Sequence, residues 1–111
     1  MPLKDKIIAI IGAGNMGEAL IRGLLSSRAT TPQQLVASDI RPHRLELFAS
    51  QFGIPVVSDN SLAASKADIV ILAVKPQQIR EVLVGLRGVI DSGKLVVSIA
   101  AGITTARIEQ E

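Results

Sequence analysis

The residues with the clearest chemical potential form one short run, Gly12-Ala13-Gly14-Asn15-Met16-Gly17. Glycines in the spacing G-x-G-x-x-G let a chain turn tightly, let its backbone approach a pyrophosphate, and let a following helix pack close to a preceding strand. Free N–H groups at the start of that helix, helped by its dipole, would face the phosphates. The same run also serves as a plain tight turn, so its surroundings must decide. Roughly twenty residues beyond Gly17 stands Asp39, where an acid can bond both hydroxyls of an adenosine ribose and would repel a phosphate carried there. Arg41 and Arg44 follow at once, and arginine is the usual partner for such a phosphate. Ser38 and His43 add potential donors. Each arginine would equally suit a solvated helix start, and His43 an exposed surface position. On NAD against NADP these residues argue both ways.

Three further places belong to the same chemistry. Asn60 is either a helix cap or a cofactor ligand. Ala73-Val74-Lys75-Pro76-Gln77 follows the most apolar run of the chain, and Lys75 there is either a surface lysine or an electrostatic contributor at a strand end. Ser98-Ile99-Ala100-Ala101-Gly102-Ile103 is rich in small residues, which permit close approach of a flat ring or simply pack a helix on a strand. With one histidine and no cysteine, disulfides and cysteine-ligated metal are ruled out, and no acid–histidine spacing fits zinc. No G-x-S-x-G elbow is present.

These loops require elements to hold them, and the hydrophobic pattern supplies them. Short apolar runs alternate with amphipathic helical stretches, the mark of βαβ units and a parallel sheet. Residues 6–11 read as a buried strand and 15–27 as a helix, with Met16, Leu20 and Leu24 on one face. A second strand covers 35–38. Pro42 suits the first turn of a second helix, whose Leu45, Phe48, Ala49 and Phe52 follow the helical period up to Gly53. Residues 54–57 form a third strand, and Asp59 or Asn60 caps a short helix running through Ala64. The run 68–74 is strand-like on both faces. Pro76 opens a further helix carrying Ile79, Val82, Leu83 and Leu86, ended by Gly88. Residues 95–99 make a fifth strand, followed by a helix that has barely begun at Glu111. The expected fold is α/β: a Rossmann-type doubly wound parallel sheet with helices on both faces, spanning residues 1–111 as one domain.

Composition narrows the class. Of 111 residues 48% are apolar, yet Phe48 and Phe52 are the only Phe, Tyr or Trp, so the core must be aliphatic. The net charge of +2 is scattered, which gives no footprint for nucleic acid. No apolar run reaches the length of a membrane span and the start lacks a signal-peptide pattern, so a cytoplasmic protein is expected.

With those loops placed, the chain resembles the amino-terminal part of pyrroline-5-carboxylate reductase, from Ile8 to about Glu109. The glycine loop would also fit hydroxyisobutyrate and phosphogluconate dehydrogenases. Ala73-Val74-Lys75-Pro76 and Ser98-Ile99-Ala100-Ala101-Gly102-Ile103 are more specific. The resemblance implies hydride transfer from NAD(P)H to 1-pyrroline-5-carboxylate, giving proline. It places Val74, Lys75, Pro76, Ala100 and Ala101 near the nicotinamide and moves Asn60 from cap towards ligand. The family's habit, with Arg41 and Arg44, tilts the expected cofactor towards NADPH, with NADH used as well. Asp39 departs from the family, which often has serine there. The resemblance also implies a carboxy-terminal helical domain, absent from this chain, that makes a homo-oligomer and binds the substrate, so the isolated chain is expected to be inactive. The competing expectations are a hydroxyacid- or prephenate-type dehydrogenase, and a module that binds a dinucleotide and catalyses nothing.

Overall fold

In a computed structural model the described residues are 5–89 and 94–99. Five strands, β1 (Ile8–Ile11), β2 (Leu35–Ser38), β3 (Val56–Val57), β4 (Ile69–Leu72) and β5 (Leu95–Ser98), form one sheet in the order β3-β2-β1-β4-β5. Every pairing is parallel, with Ile8 opposite both Leu35 and Ile69. Parallel neighbours need crossovers, and the helices α1 (Asn15–Ser26), α2 (Pro42–Phe52), α3 (Asn60–Ser65) and α4 (Ile79–Gly85) lie between successive strands.

Alternation along the strands builds a core on each face of the sheet. Ile8, Ile10, Leu35, Ala37 and Ile69 pack with Ile21 of α1 and Phe48 of α2. Ala9, Ile11, Val36, Val70, Leu72 and Val96 pack with Ala63 and Ala64 of α3 and Ile79 of α4. Helices therefore cover both faces, as the apolar strands require. Because the chain leaves β1 towards β2 on one side and returns to β4 on the other, a crevice opens beyond the carboxyl ends of β1, β2 and β4.

Several details differ from the sequence expectation. β3 is two residues long because Pro55 has no N–H to donate; its carbonyl still accepts from Ala37 N. The helix opened by Pro76 starts as a single 3-10 turn, Pro76–Gln78, before α4. Helix α4 ends at Gly85, and Gly88 instead takes a turn with φ +84°. On α1 the buried residues are Gly17 and Ile21, with Leu20 and Leu24 beside them, whereas Met16 is 40% exposed. On α2, Phe48 carries the core contact and Ala49 is exposed. Gly53 ends α2 in the left-handed conformation, φ +67°, as expected. The small-residue turn Ala100-Ala101-Gly102 and the helix expected after it lie outside the described residues. No helix among those residues is long and apolar enough to cross a membrane.

Candidate functional site

The glycine loop leaves the end of β1 and enters α1 at the switch point. Gly12 adopts φ +108°, and a Cβ there would lie 2.7 Å from the Ala73 carbonyl oxygen. A Cβ on Gly17 would lie 2.5 Å from the carbonyl oxygen of Gly12. Both positions are closed to any side chain by backbone that cannot give way. Gly14 differs. Its φ is −91°, and a Cβ would meet only Arg41 Nη2, at an ordinary 3.7 Å. The fold explains two glycines; the third leaves open a path to the backbone at the uncapped start of α1, the cradle that a pyrophosphate needs.

Asp39, at the end of β2, is 8% exposed. Its Oδ2 accepts from Ala13 N at 2.7 Å and from Arg41 Nη2 at 2.8 Å, and its Oδ1 accepts from Arg41 N and Nε, both at 2.9 Å. Burial pushes the carboxyl pKa up, but these bonds, with the charge of Arg41, outweigh it and set the value at about 2. The Arg41 side chain is 50% exposed. Arg44 is placed differently from Arg41: its Nε donates to Ala13 O at 2.6 Å and its Nη2 to Glu18 Oε1 at 3.0 Å.

Asp59, not Asn60, caps α3, accepting from Ser61 N at 2.8 Å and Leu62 N at 3.3 Å. Asn60 is thereby released from the cap, and its Oδ1 accepts from Ser38 Oγ at 2.7 Å. Ser38 is fully buried.

These residues surround one cavity of about 1270 Å³. Gly12, Gly14, Asn15 and Met16 line it from the loop, Ser38, Asp39, Arg41, His43 and Arg44 from the β2–α2 segment, and Asn60, Ala73, Val74 and Lys75 from beyond. Ala13 and Gly17 of the loop are buried, and they and Pro76 lie outside the lining. Ala100 and Ala101 fall outside the described residues. The sequence reading did not place Ile11, Ile40, Ser58, Asp59, Ser61, Gln78, Glu81, Val82 or Gly85 at the site, although they also line the cavity. Ile40 carried a signal, since an apolar side chain between Asp39 and Arg41, here 86% exposed, has no core to enter. Gln78, Val82 and Gly85 were legible as the helical face continuing from Lys75. Among the described residues no group of His, Cys, Asp or Glu could hold a metal ion.

A parallel sheet with a glycine loop, a buried acid and an open crevice at one switch point defines a dinucleotide-binding oxidoreductase fold of the Rossmann type. Residues 7–102 match the family described as NADP oxidoreductase coenzyme F420-dependent, and the chain belongs to that family. The chain is 41% identical over 107 residues to a pyrroline-5-carboxylate reductase of Methanosarcina acetivorans, covering 96% of this chain and 40% of that protein. A pyrroline-5-carboxylate reductase structure from Coxiella burnetii superposes with a TM-score of 0.86 at 34% identity, covering 95% of this chain and 39% of the other. The Plasmodium falciparum pyrroline carboxylate reductase with NADP bound gives 0.80 at 24% identity over 96% and 38%, a likeness of fold. The chain spans about two-fifths of the length of the curated relatives it matches.

Proposed function

We propose that this chain is the NAD(P)H-binding domain of a pyrroline-5-carboxylate reductase, which converts 1-pyrroline-5-carboxylate to proline. One observation carries the cofactor half of this reading: Gly14 is a glycine that the fold does not need, set at the mouth of the crevice. The 41% identity to a named reductase carries the substrate half and favours it over a hydroxyacid- or prephenate-type dehydrogenase.

The first-turn N–H groups of α1 would receive the pyrophosphate across Gly14, with the helix dipole in support. Asp39, Ser38 and Asn60 would face the adenosine ribose. Arg41, half exposed at that end, would meet a 2′-phosphate, which supports NADPH as the preferred cofactor with NADH also accepted. Val74 and Lys75, which line the crevice beyond β4, would flank the nicotinamide. When bound, the reduced nicotinamide supplies a hydride to the C=N carbon of the pyrroline. The chain's contribution is proximity and orientation. Lys75, exposed on the rim, adds positive charge at a distance. The substrate's carboxylate and the oligomer contacts belong to the part of the relatives' length that this chain does not span.

Calorimetric titration of NADPH and NADH into the wild-type chain and Gly14→Val tests this. Binding by the wild type and none by a folded Gly14→Val is the expected result. Equal affinities would reduce the loop to a turn, and proline formation by this chain at the rate of a full-length reductase would overturn the division of labour.

A further inference from the structure

The backbone of Ala13 is the part of the glycine loop that its own sequence restrains least, because a glycine stands on each side. Ala13 is nonetheless fully buried, and both of its backbone polar groups are held by side chains of the β2–α2 segment. Its N–H donates to Asp39 and its carbonyl accepts from Arg44. Arg44 also reaches Glu18 of α1, which accepts from Arg22 at 3.0 Å on its other oxygen. The Arg44 guanidinium lies 5.6 Å from the Phe48 ring centroid, and its side chain is 16% exposed against 50% for Arg41. One planar group thus ties the start of α2, the glycine loop and the first turn of α1.

We infer that Arg44 is a positioning residue: through the Ala13 carbonyl it fixes the glycine loop in the shape that receives the dinucleotide. It sets affinity for NADH and NADPH alike and does not choose between them. This rests on the dinucleotide reading of the site. For Arg44 to turn towards a 2′-phosphate it would have to abandon a buried carbonyl, leaving that acceptor unpaired at a cost that offsets the new contact. Fixing the loop before binding removes an ordering cost common to both cofactors.

The test compares wild type, Arg44→Ala and Arg44→Lys in the 111-residue chain, by amide hydrogen exchange without cofactor and by titration with NADH and NADPH. Arg44→Ala is expected to speed exchange of the Ala13 amide about tenfold and to weaken both cofactors by the same factor, about five- to tenfold. Arg44→Lys keeps the charge but not the planar fork, so it should recover only a small part of either effect. A loss confined to NADPH would overturn the inference by making Arg44 a phosphate ligand. Full recovery by lysine would overturn it by reducing Arg44 to a long-range charge. Unchanged exchange at Ala13 would also overturn it. If exchange responds while the wild type binds neither cofactor, the clamp stands and the dinucleotide reading falls. Should Arg44→Ala not fold, Glu18→Gln loosens the same arginine more gently; a small, equal loss for both cofactors supports the inference, and an unequal loss overturns it.

Discussion

The Asp39 carboxylate accepts the Ala13 N–H at 2.7 Å, so the acid closing the second strand is bonded to the loop closing the first. The same carboxylate holds Arg41 through three further bonds. Loop, acid and arginine are one unit, and perturbing any of them reaches the others.

Acid titration should expose that unit. Asp39 has its pKa lowered from 3.8 to about 2 in the folded chain. A depressed carboxyl pKa contributes stability that is present above the ordinary value and lost as pH falls through the folded one. The contribution is about 2 kcal/mol, disappearing between roughly pH 4 and pH 2. Urea denaturation of wild type and Asp39→Asn across that range is the measurement. The gap between the two should narrow as the pH drops; a gap constant with pH would contradict the assignment.

The three glycines of the loop should separate into two kinds. Alanine at Gly12 or Gly17 would drive a methyl into a backbone carbonyl oxygen and should cost about 2 kcal/mol or more in each case. Alanine at Gly14 has room, and should change stability by no more than about 1 kcal/mol as a less favourable N-cap. Denaturation midpoints of the three variants decide this. Similar losses at all three would return Gly14 to a purely structural role.

Cofactor preference should move in opposite directions at Asp39 and Arg41. Asp39→Ser removes the negative charge that the proposed function sets beside the ribose and releases Arg41, so the affinity ratio should shift towards NADPH. Because the Ala13 N–H also loses its acceptor, both absolute affinities should fall. Arg41→Ala should weaken NADPH by about tenfold, the worth of a charge-assisted bond at a partly exposed phosphate, with a much smaller effect on NADH. Paired titrations with the two cofactors read both effects. A ratio unmoved by either substitution would place the 2′-position of the ribose away from these residues.

Much of the molecule was legible in the chain itself. The strand and helix order follows from apolar runs alternating with helical periodicity, and Pro42 and Gly53 mark the two ends of α2 where the structure has them. The glycine spacing and the acid near the end of the second strand pointed to the crevice, because both depend on short stretches whose geometry local preferences already restrict. Local pattern also located the short helix α3 but left its cap open between Asp59 and Asn60. Both have suitable side chains, and the structure gives the cap to Asp59, whose backbone is extended at φ −115° and ψ 116° while Asn60 is already the first residue of the helix.

What the tertiary structure alone decided is the partnership of the charges. In sequence, Arg41 and Arg44 looked alike, two cations at the start of one helix. The strand order sets β2 beside β1, and the register places Ser38 opposite Ile11, so residues 26 and 31 positions away from Ala13 reach its N–H and its carbonyl. From that placement Arg44 turns inward to the loop while Arg41 stays at the surface with Asp39. The closure of Gly12 to a side chain has the same origin, since the atoms that exclude a Cβ there belong to Ala73, just past the end of the adjacent strand β4, whereas Gly17 is closed locally by the Gly12 carbonyl. Periodicity records which face of an element is apolar; it carries no record of which distant backbone group a polar side chain will meet, and that is fixed only when the sheet assembles.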